Sequence, residues 1–266
     1  MALNKPAQQS SDYHTGGAAE LAVDGNSNNQ WGGGSITHTT FDGGGTTNPW
    51  WYVDLQGVCT VDSVKVYNRI EAPSDCCSHR LSGAIISLVS SVSTLSTTPP
   101  TEDNTLATHV LQNMTGVVSE EWDPAGTVTN VAGVYISLPG ASRILSLAEV
   151  EVIGRCQSID SLYVGCYEDD DSAASDPAFR VVNHGLGTPF ALRDCIRDCG
   201  NLGYQYAAMQ YGTYCFCDNK YESTGFGEDT DSGDDRNCDF ACSYDEQENS
   251  RICGGRWRNS VYRTGV

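Results

Sequence analysis

Residues 74–81 read SDCCSHRL, and the adjacent Cys76 and Cys77 are the first place where residue type and spacing imply chemistry. Neighbouring Cα atoms lie about 3.8 Å apart, whereas an ordinary disulfide prefers roughly 4.4–6.8 Å. Two outcomes are open. Each cysteine reaches a different partner and staples two segments, or the two sulfurs join in a strained ring with a function of its own. Asp75 and Arg80 flank the pair and bring both signs of charge to the same short stretch.

The remaining chemistry is sparse. No G-x-S-x-G or H-E-x-x-H motif is present, so nothing supports a nucleophile elbow or a zinc protease. Scattered carboxylates alone do not make a glycosidase. The stretch EDTDSGDDRNCDF resembles a calcium loop only superficially. Its glycine comes one place early when the loop is begun at Asp229, and Phe240 stands where a bidentate glutamate belongs. It reads as a solvated loop, and YEDDD at 167–171 as a polar turn. The expectation is a binding protein, not an enzyme.

Composition narrows the partners. Among 266 residues, 15 are Lys or Arg and 34 Asp or Glu, a formal net charge of −19. Nucleic acid demands a basic footprint, and none exists. Anionic membranes attract basic segments too, so a membrane partner is not expected. The 12 cysteines point to an oxidising, secreted setting. Met1 leads into ALNKPAQQSS without the basic and apolar regions of a signal peptide, so the expectation is a mature chain with an added start methionine. Asn113 in NMT is a candidate glycan acceptor.

The elements that must hold these residues fall into two textures. Residues 1–156 carry four cysteines and are rich in Ser, Thr, Gly and Val. Alternating runs such as SVKVYNR and AEVEVIG, separated by Gly, Pro, Asn and Asp clusters, predict a β-sandwich or jelly roll. Residues 157–160 read as a linker. Residues 161–266 carry eight cysteines, the density of a small disulfide scaffold. One helix is legible there: Thr188 as N-cap, Pro189 at the first helical position and Gly200 as terminator. Leu192, Cys195, Ile196 and Cys199 then share a face at i, i+3, i+4 and i+7. Cys215 and Cys217 point to one side of the following strand, so Cys195 and Cys199 are expected to bond with them in either order. Cys166, Cys238, Cys242 and Cys253 would supply two further bonds. The expected fold class is mostly β, a jelly-roll sandwich followed by a small α+β module.

Over residues 3–153 the stretches NKPAQQSS, AVDGN, SITHT, PWWYVDL, VKVYNR, DCCSHRL and LSLAEVEV occur in the order found in F-type lectins, a branch of the discoidin-like jelly rolls, and the segment resembles that family. The resemblance implies L-fucose binding in a shallow cup, with His38, Arg69 and Arg80 as hydrogen-bonding groups. It also implies that Cys76 and Cys77 join as an apolar plate against one sugar face. The alternative pairs them with Cys59 and Cys156. Tyr13 and Trp31 match loops that flank the cup and are candidates for apolar contact. The family usually has an aspartate two residues after the first arginine. Here IEAPS intervenes in a longer loop, and two outcomes are open: Arg69 is displaced, or Glu71 adds contacts of its own.

The same resemblance implies a structural calcium held by Asp24, Asn26, Ser35 and Glu149, with carbonyls from Leu21 and Ala148, all oxygen donors as Ca²⁺ prefers. The second segment resembles a WSC domain through YVGCYEDD, CIRDCGNLGYQYAAMQYGTYCFC, CDFAC and CGGRWRNSVY. That likeness implies a cell-wall polysaccharide partner, with Tyr206, Tyr211, Tyr214 and Trp257 as candidate stacking residues. The expectation is a secreted calcium-containing lectin for fucosylated or related glycans, with its oligomeric state left open. The rival is an extracellular structural or protein-interaction component that binds no sugar.

Overall fold

The computed structural model describes residues 1–14, 16–92, 94–168, 180–181, 190–219, 238–243, 251–256 and 258–265. The chain divides into two compact units, Met1–Cys156 and Gln157–Val266.

The first unit is a β-sandwich organised by one long strand. Its strands are β1 (Ala7–Gln9), β2 (Trp50–Asn68), β3 (Ile85–Val89), β4 (Thr105–Val110), β5 (Ser119–Trp122), β6 (Val128–Ser137) and β7 (Leu147–Gln157). The path β1-β2-β6-β3-β4 is antiparallel throughout, and β5 and β7 also pair with β2. The first part of β2 pairs with β1 and β6, as in Val53 opposite Ala7 and Trp51 opposite Ile136. Its last part pairs with β5, where Val64 faces Trp122. Between these parts Gln56 has φ 57° and the register shifts. The Asp54 carboxylate accepts the Gln56 amide at 2.7 Å and holds this bulge, which turns the strand and lets it serve two sets of neighbours.

Burial in β2 follows period 2, with alternate residues from Leu55 to Val61 buried. That is the signature of a strand with one face on a core. Trp51, Val53, Leu55, Val61, Val64, Val66, Ile86, Leu88, Ile136, Leu147 and Val150 form that core. β7 runs so close to β2 that a Cβ on Gly154 would lie 2.1 Å from the Thr60 carbonyl oxygen. Only glycine fits there. Cys59 and Cys156 are joined, closing a sequence separation of 97 residues.

The second unit has α1 (Ile159–Leu162), β8 (Tyr163–Glu168), β9 (Arg180–Val181), α2 (Leu192–Asn201), β10 (Tyr206–Gln210), β11 (Tyr214–Asp218) and β12 (Arg258–Arg263). Its sheet order is β8-β12-β10-β11-β9. Leu192, Cys195, Ile196 and Cys199 are all buried on one helix face. The expected staples form as Cys195–Cys215 and Cys199–Cys217, and the remaining four cysteines pair as Cys166–Cys238 and Cys242–Cys253. The sulfurs of Cys195, Cys199 and Cys215 lie within 4.8 Å of one another. Each is already in a disulfide, so they are no metal site.

The helix limits differ from the sequence expectation. The N-cap is Ala191, not Thr188, and the helix runs past Gly200 to Asn201. The Phe190 amide bonds the Thr213 carbonyl oxygen at 3.0 Å. That tie to the β10–β11 turn keeps the chain extended just before the helix. Thr188 and Pro189 themselves lie outside the described residues, as do Trp257 and most of the two acidic stretches. Residues 157–160 carry structure: Ser158 caps α1, Ile159 is buried, and Asp160 pairs with Arg251 at 2.7 Å.

Opening the Cys59–Cys156 ring should cost the first unit about 2–5 kcal/mol, because a long loop is freed in the unfolded chain. A Cys59→Ala/Cys156→Ala chain should therefore unfold at lower urea than the parent. Tryptophan emission reads this unit, since Trp31, Trp50, Trp51 and Trp122 lie within residues 1–156. An unchanged midpoint would show that the bond adds nothing to stability.

Candidate functional site

The candidate residues come from two connections: Tyr13, Trp31 and His38 lie between β1 and β2, and Arg69, Cys76, Cys77 and Arg80 between β2 and β3. His38 lies between Gly17 and the start of β7: its amide bonds the Gly17 carbonyl oxygen at 2.9 Å, and the flanking Thr37 and Thr39 amides bond Leu147 and Leu145. Gly17 has φ +87°, and a Cβ there would lie 2.8 Å from the His38 Cβ. A side chain at 17 would push His38 out of place. The Tyr13 amide bonds the His38 carbonyl oxygen at 2.9 Å, which brings the 11–17 loop alongside.

The three rings that the sequence expectation named do meet. Tyr13 and His38 have centroids 4.8 Å apart, Trp31 and His38 5.5 Å edge-on, and Tyr13 and Trp31 6.1 Å. Arg69 lies over the Trp31 ring at 5.0 Å, a cation–π arrangement. Arg80 joins from the turn Ser78–Leu81, its amide bonded to the Cys77 carbonyl oxygen at 3.1 Å. Cys76 and Cys77 are bonded to each other, with Cys76 exposed and Cys77 buried. The alternative pairing with Cys59 and Cys156 does not occur.

Charge at this end of the sandwich is unbalanced. Burial pushes His38 down to about 4, with smaller contributions in the same direction from Arg69 and Arg80. His38 Nδ1 lies 2.5 Å from the Thr39 carbonyl oxygen. That acceptor places the imidazole proton on Nδ1 and leaves Nε2 as the lone-pair nitrogen. Among the described residues the Arg80 guanidinium has no hydrogen-bond or carboxylate partner, and burial together with Arg69 pulls its pKa down. Asp75 does not neutralise it. Its carboxylate accepts instead from the Ser78 amide at 3.2 Å and the Ser78 hydroxyl at 2.7 Å. The turn is held from behind by Arg143, whose Nη2 donates to the carbonyl oxygens of Arg80 at 3.1 Å and Ser82 at 2.8 Å.

Two residues of this network were not among the expected site residues. Arg143 left no signal in the sequence. Glu71 did: it stands two places after Arg69. Its Oε1 accepts from Arg69 Nε at 2.7 Å and from the Trp31 amide at 2.9 Å.

Of the six residues expected to hold calcium, Asp24, Ser35 and Glu149 are drawn together. Asp24 Oδ2 accepts from the Ser35 hydroxyl in a short hydrogen bond, and Oδ1 accepts from the Asn26 amide at 2.8 Å. Glu149 is buried, and its Oε2 accepts from the Gly25 amide at 3.1 Å. Burial pushes its carboxyl up to about 7, and the neighbouring Asp24 adds to that. Leu21 lies in the 3₁₀ turn that leads into Asp24, and Ala148 is buried beside Glu149. Two carboxylates forced together with hydroxyl and amide oxygens form a hard donor set, and such a set fits a divalent cation.

In the second unit Tyr211 stands edge-on to Tyr214 at 6.1 Å and to Phe240 at 5.9 Å, and Tyr214 and Phe240 are exposed. Tyr206, expected to share that surface, instead packs at the margin of the small core formed by Tyr167, Ala208, Phe216 and Val261. It starts the strand that Tyr211 follows, so the two rings sit at opposite ends of β10.

Residues 21–133 match the F5/F8 type C family, described as a NedA-like, galactose-binding domain, and residues 163–255 match the WSC domain. Fucolectin-1 of Anguilla japonica is 34% identical over 133 residues, 50% of this chain and 65% of that protein. The fucolectin of Anguilla anguilla is 40% identical over 82 residues, 31% of this chain and 47% of that protein. The chain thus spans about half to two thirds of the length of these relatives. A solved structure of the lectin domain of lectinolysin complexed with Lewis b antigen is 33% identical, covering 58% of this chain and 96% of that one with a TM-score of 0.46. By the family matches and the fucolectin likeness, the chain consists of an F-type lectin domain of the F5/F8 type C class followed by a WSC domain.

Proposed function

We propose that this protein is a secreted lectin that binds fucose or a related sugar on glycans at the His38–Arg69–Arg80 cluster and performs no chemistry. The observation that carries this reading is Arg80: a half-buried guanidinium, beside a second arginine, without an anion among the described residues. Such a group is stabilised by a ligand rich in oxygen acceptors. A neutral sugar supplies them without placing a second full charge in the site. The relatives named for fucose, and the Lewis b complex of lectinolysin, point to the sugar class.

Each group then has a defined task. Arg69 and Arg80 donate to sugar oxygens. His38, with its proton held on Nδ1 by Thr39, accepts a sugar hydroxyl at Nε2. The Cys76–Cys77 disulfide offers an apolar surface to the C–H face of the ring, and Tyr13 and Trp31 form the apolar wall.

Calcium is the cation we assign to Asp24, Asn26, Ser35 and Glu149, with the carbonyls of Leu21 and Ala148. When bound it would offset the repulsion between the two carboxylates and fix the loop from Asp24 to Ser35. The second unit, with Tyr214 and Phe240 exposed on either side of the half-buried Tyr211, would add contacts to cell-wall polysaccharide. Six disulfides suit an extracellular life.

Arg80→Ala should weaken binding to fucosylated glycans by about 1.5–3 kcal/mol, the worth of a hydrogen bond to a charged group, and His38→Ala by about 0.5–1.5 kcal/mol, the worth of one between neutral groups. Calorimetric titration checks this, and two variants that bind like the parent would place the sugar elsewhere. The pH dependence has a defined sign. An unshifted imidazole would take its proton near 6.5, but His38 does so near 4. Affinity at saturating calcium should therefore persist below 6.5 and fall as the pH passes through about 4, when Nε2 stops accepting. The folded pKa is depressed, so the contribution of His38 to stability is complete above 6.5 and shrinks as acid is added down to 4. Titration of the His38 ring by NMR would separate its proton uptake from that of other groups, and an inflection near 6.5 would contradict this picture.

Calcium should raise the melting temperature, since it binds the folded state. Chelator should reverse the shift, and Asp24→Ala or Glu149→Ala should erase it. A melting curve indifferent to chelator would remove the metal from the reading.

A further inference from the structure

Glu71 lies in the IEAPS stretch, two places after Arg69 and five before Cys76. The segment is tied to the Trp31 loop at two points, the Ile70 amide to the Asn29 carbonyl oxygen at 2.9 Å and the Trp31 amide to Glu71 Oε1 at 2.9 Å. Oε1 also takes Arg69 Nε and Nη2, both at 2.7 Å. One carboxylate oxygen therefore receives three donors. The other, Oε2, has no partner among the described residues. The side chain is 21% exposed and Arg69 12% exposed, so a polar face of the carboxylate remains open beside the two groups that contact His38 and its rings.

We propose that Glu71 is a specificity-determining residue of the sugar site, accepting a hydroxyl of a neutral saccharide at Oε2 and turning away sulfated or sialylated ones. The proposal rests on the sugar-binding reading of the His38–Arg69–Arg80 cluster. Its logic is one of charge. Without Glu71, Arg69 would be a second unpaired cation next to Arg80, and the pair would attract anionic sugars. With Glu71 in place Arg69 is neutralised, its guanidinium is fixed through Nε and Nη2, and an anionic substituent would meet a carboxylate. A hydroxyl meets an acceptor instead. Discrimination of this kind needs a repulsive element as well as an attractive one, and Glu71 supplies both from its two oxygens. The same contact orders the Trp31 loop before the ligand arrives, which lowers the entropy lost on binding.

The test uses the full chain with saturating calcium, titrated with a neutral fucosylated trisaccharide and with its sulfated derivative. Glu71→Gln keeps the shape and an acceptor for the Trp31 amide but removes the charge. It should weaken the neutral ligand and narrow the neutral-over-sulfated preference by about tenfold, the scale of one charge-assisted hydrogen bond. In the sugar-free chain the Arg69 Nε–H resonance should move, because its carboxylate acceptor is gone, while the melting temperature stays close to that of the parent. Glu71→Asp, which retains the charge, should keep the exclusion of the sulfated ligand. A parent that binds the neutral sugar, with Glu71→Gln unchanged in both affinities, would overturn this role alone. A parent that binds neither sugar would overturn the sugar site and this role together.

Discussion

Two arginines close enough to perturb one another, beside a histidine that would repel both if charged, set a constraint to which part of the first unit answers. His38 is kept neutral by burial and by the two guanidinium groups. Arg69 is given a carboxylate, Glu71, and an aromatic face, Trp31. Arg80 is given neither. Its turn is instead fixed through its own carbonyl by Arg143, a cation that spends its donors on backbone oxygens and adds no negative charge to the site. The unbalanced charge is thereby concentrated on one half-buried group. A similar conflict, with the sign reversed, holds at the oxygen cluster, where burial raises Glu149 to about 7 and the neighbouring Asp24 adds to the rise.

Such crowding is tolerated only on a frame that does not yield. The frame is the core on which β2 lies, and the bulge at Gln56 that lets one strand pair with β1, β6, β5 and β7. The loops bearing His38, Arg69 and Arg80 spring from elements anchored in that core. Their mutual position is therefore set by strand register, not by loop stiffness. Gly17 and Gly154 show how little room is left, since a single added carbon at either would strike backbone or the His38 Cβ.

The second unit solves a different problem. Its apolar cluster is small, so order comes from covalent bonds: α2 is fastened to β11 at two successive turns by Cys195–Cys215 and Cys199–Cys217. With the helix fastened, the β10–β11 turn can present Tyr211 and Tyr214 beside Phe240. Glu71 in the first unit illustrates the same economy of means at the level of one residue, since one carboxylate both pairs with Arg69 and ties the Trp31 loop.

The amino-acid sequence by itself determined the fold class and the identity of most of the candidate site. Alternating apolar residues dictate strands whichever partners they find. The i, i+3, i+4, i+7 spacing of Leu192, Cys195, Ile196 and Cys199 dictates a helix with a cysteine face, because local geometry alone brings those residues together. The family motifs marked His38, Arg69 and Arg80 but could not state their protonation or partners. Those depend on atoms distant in the chain. Only the tertiary structure decided that Cys76 bonds Cys77, while Cys59 meets Cys156 across 97 residues. It decided that Asp75 bonds Ser78, which leaves Arg80 without a carboxylate among the described residues, and that Arg143 reaches back to hold the Arg80 turn. It also decided that α2 starts at Leu192, because Phe190 is held by Thr213. At Cys59–Cys156, Arg143–Arg80 and Phe190–Thr213 a contact between residues distant in sequence decided the outcome, while at Cys76–Cys77 and Asp75–Ser78 the fold of the turn selected one of several local pairings.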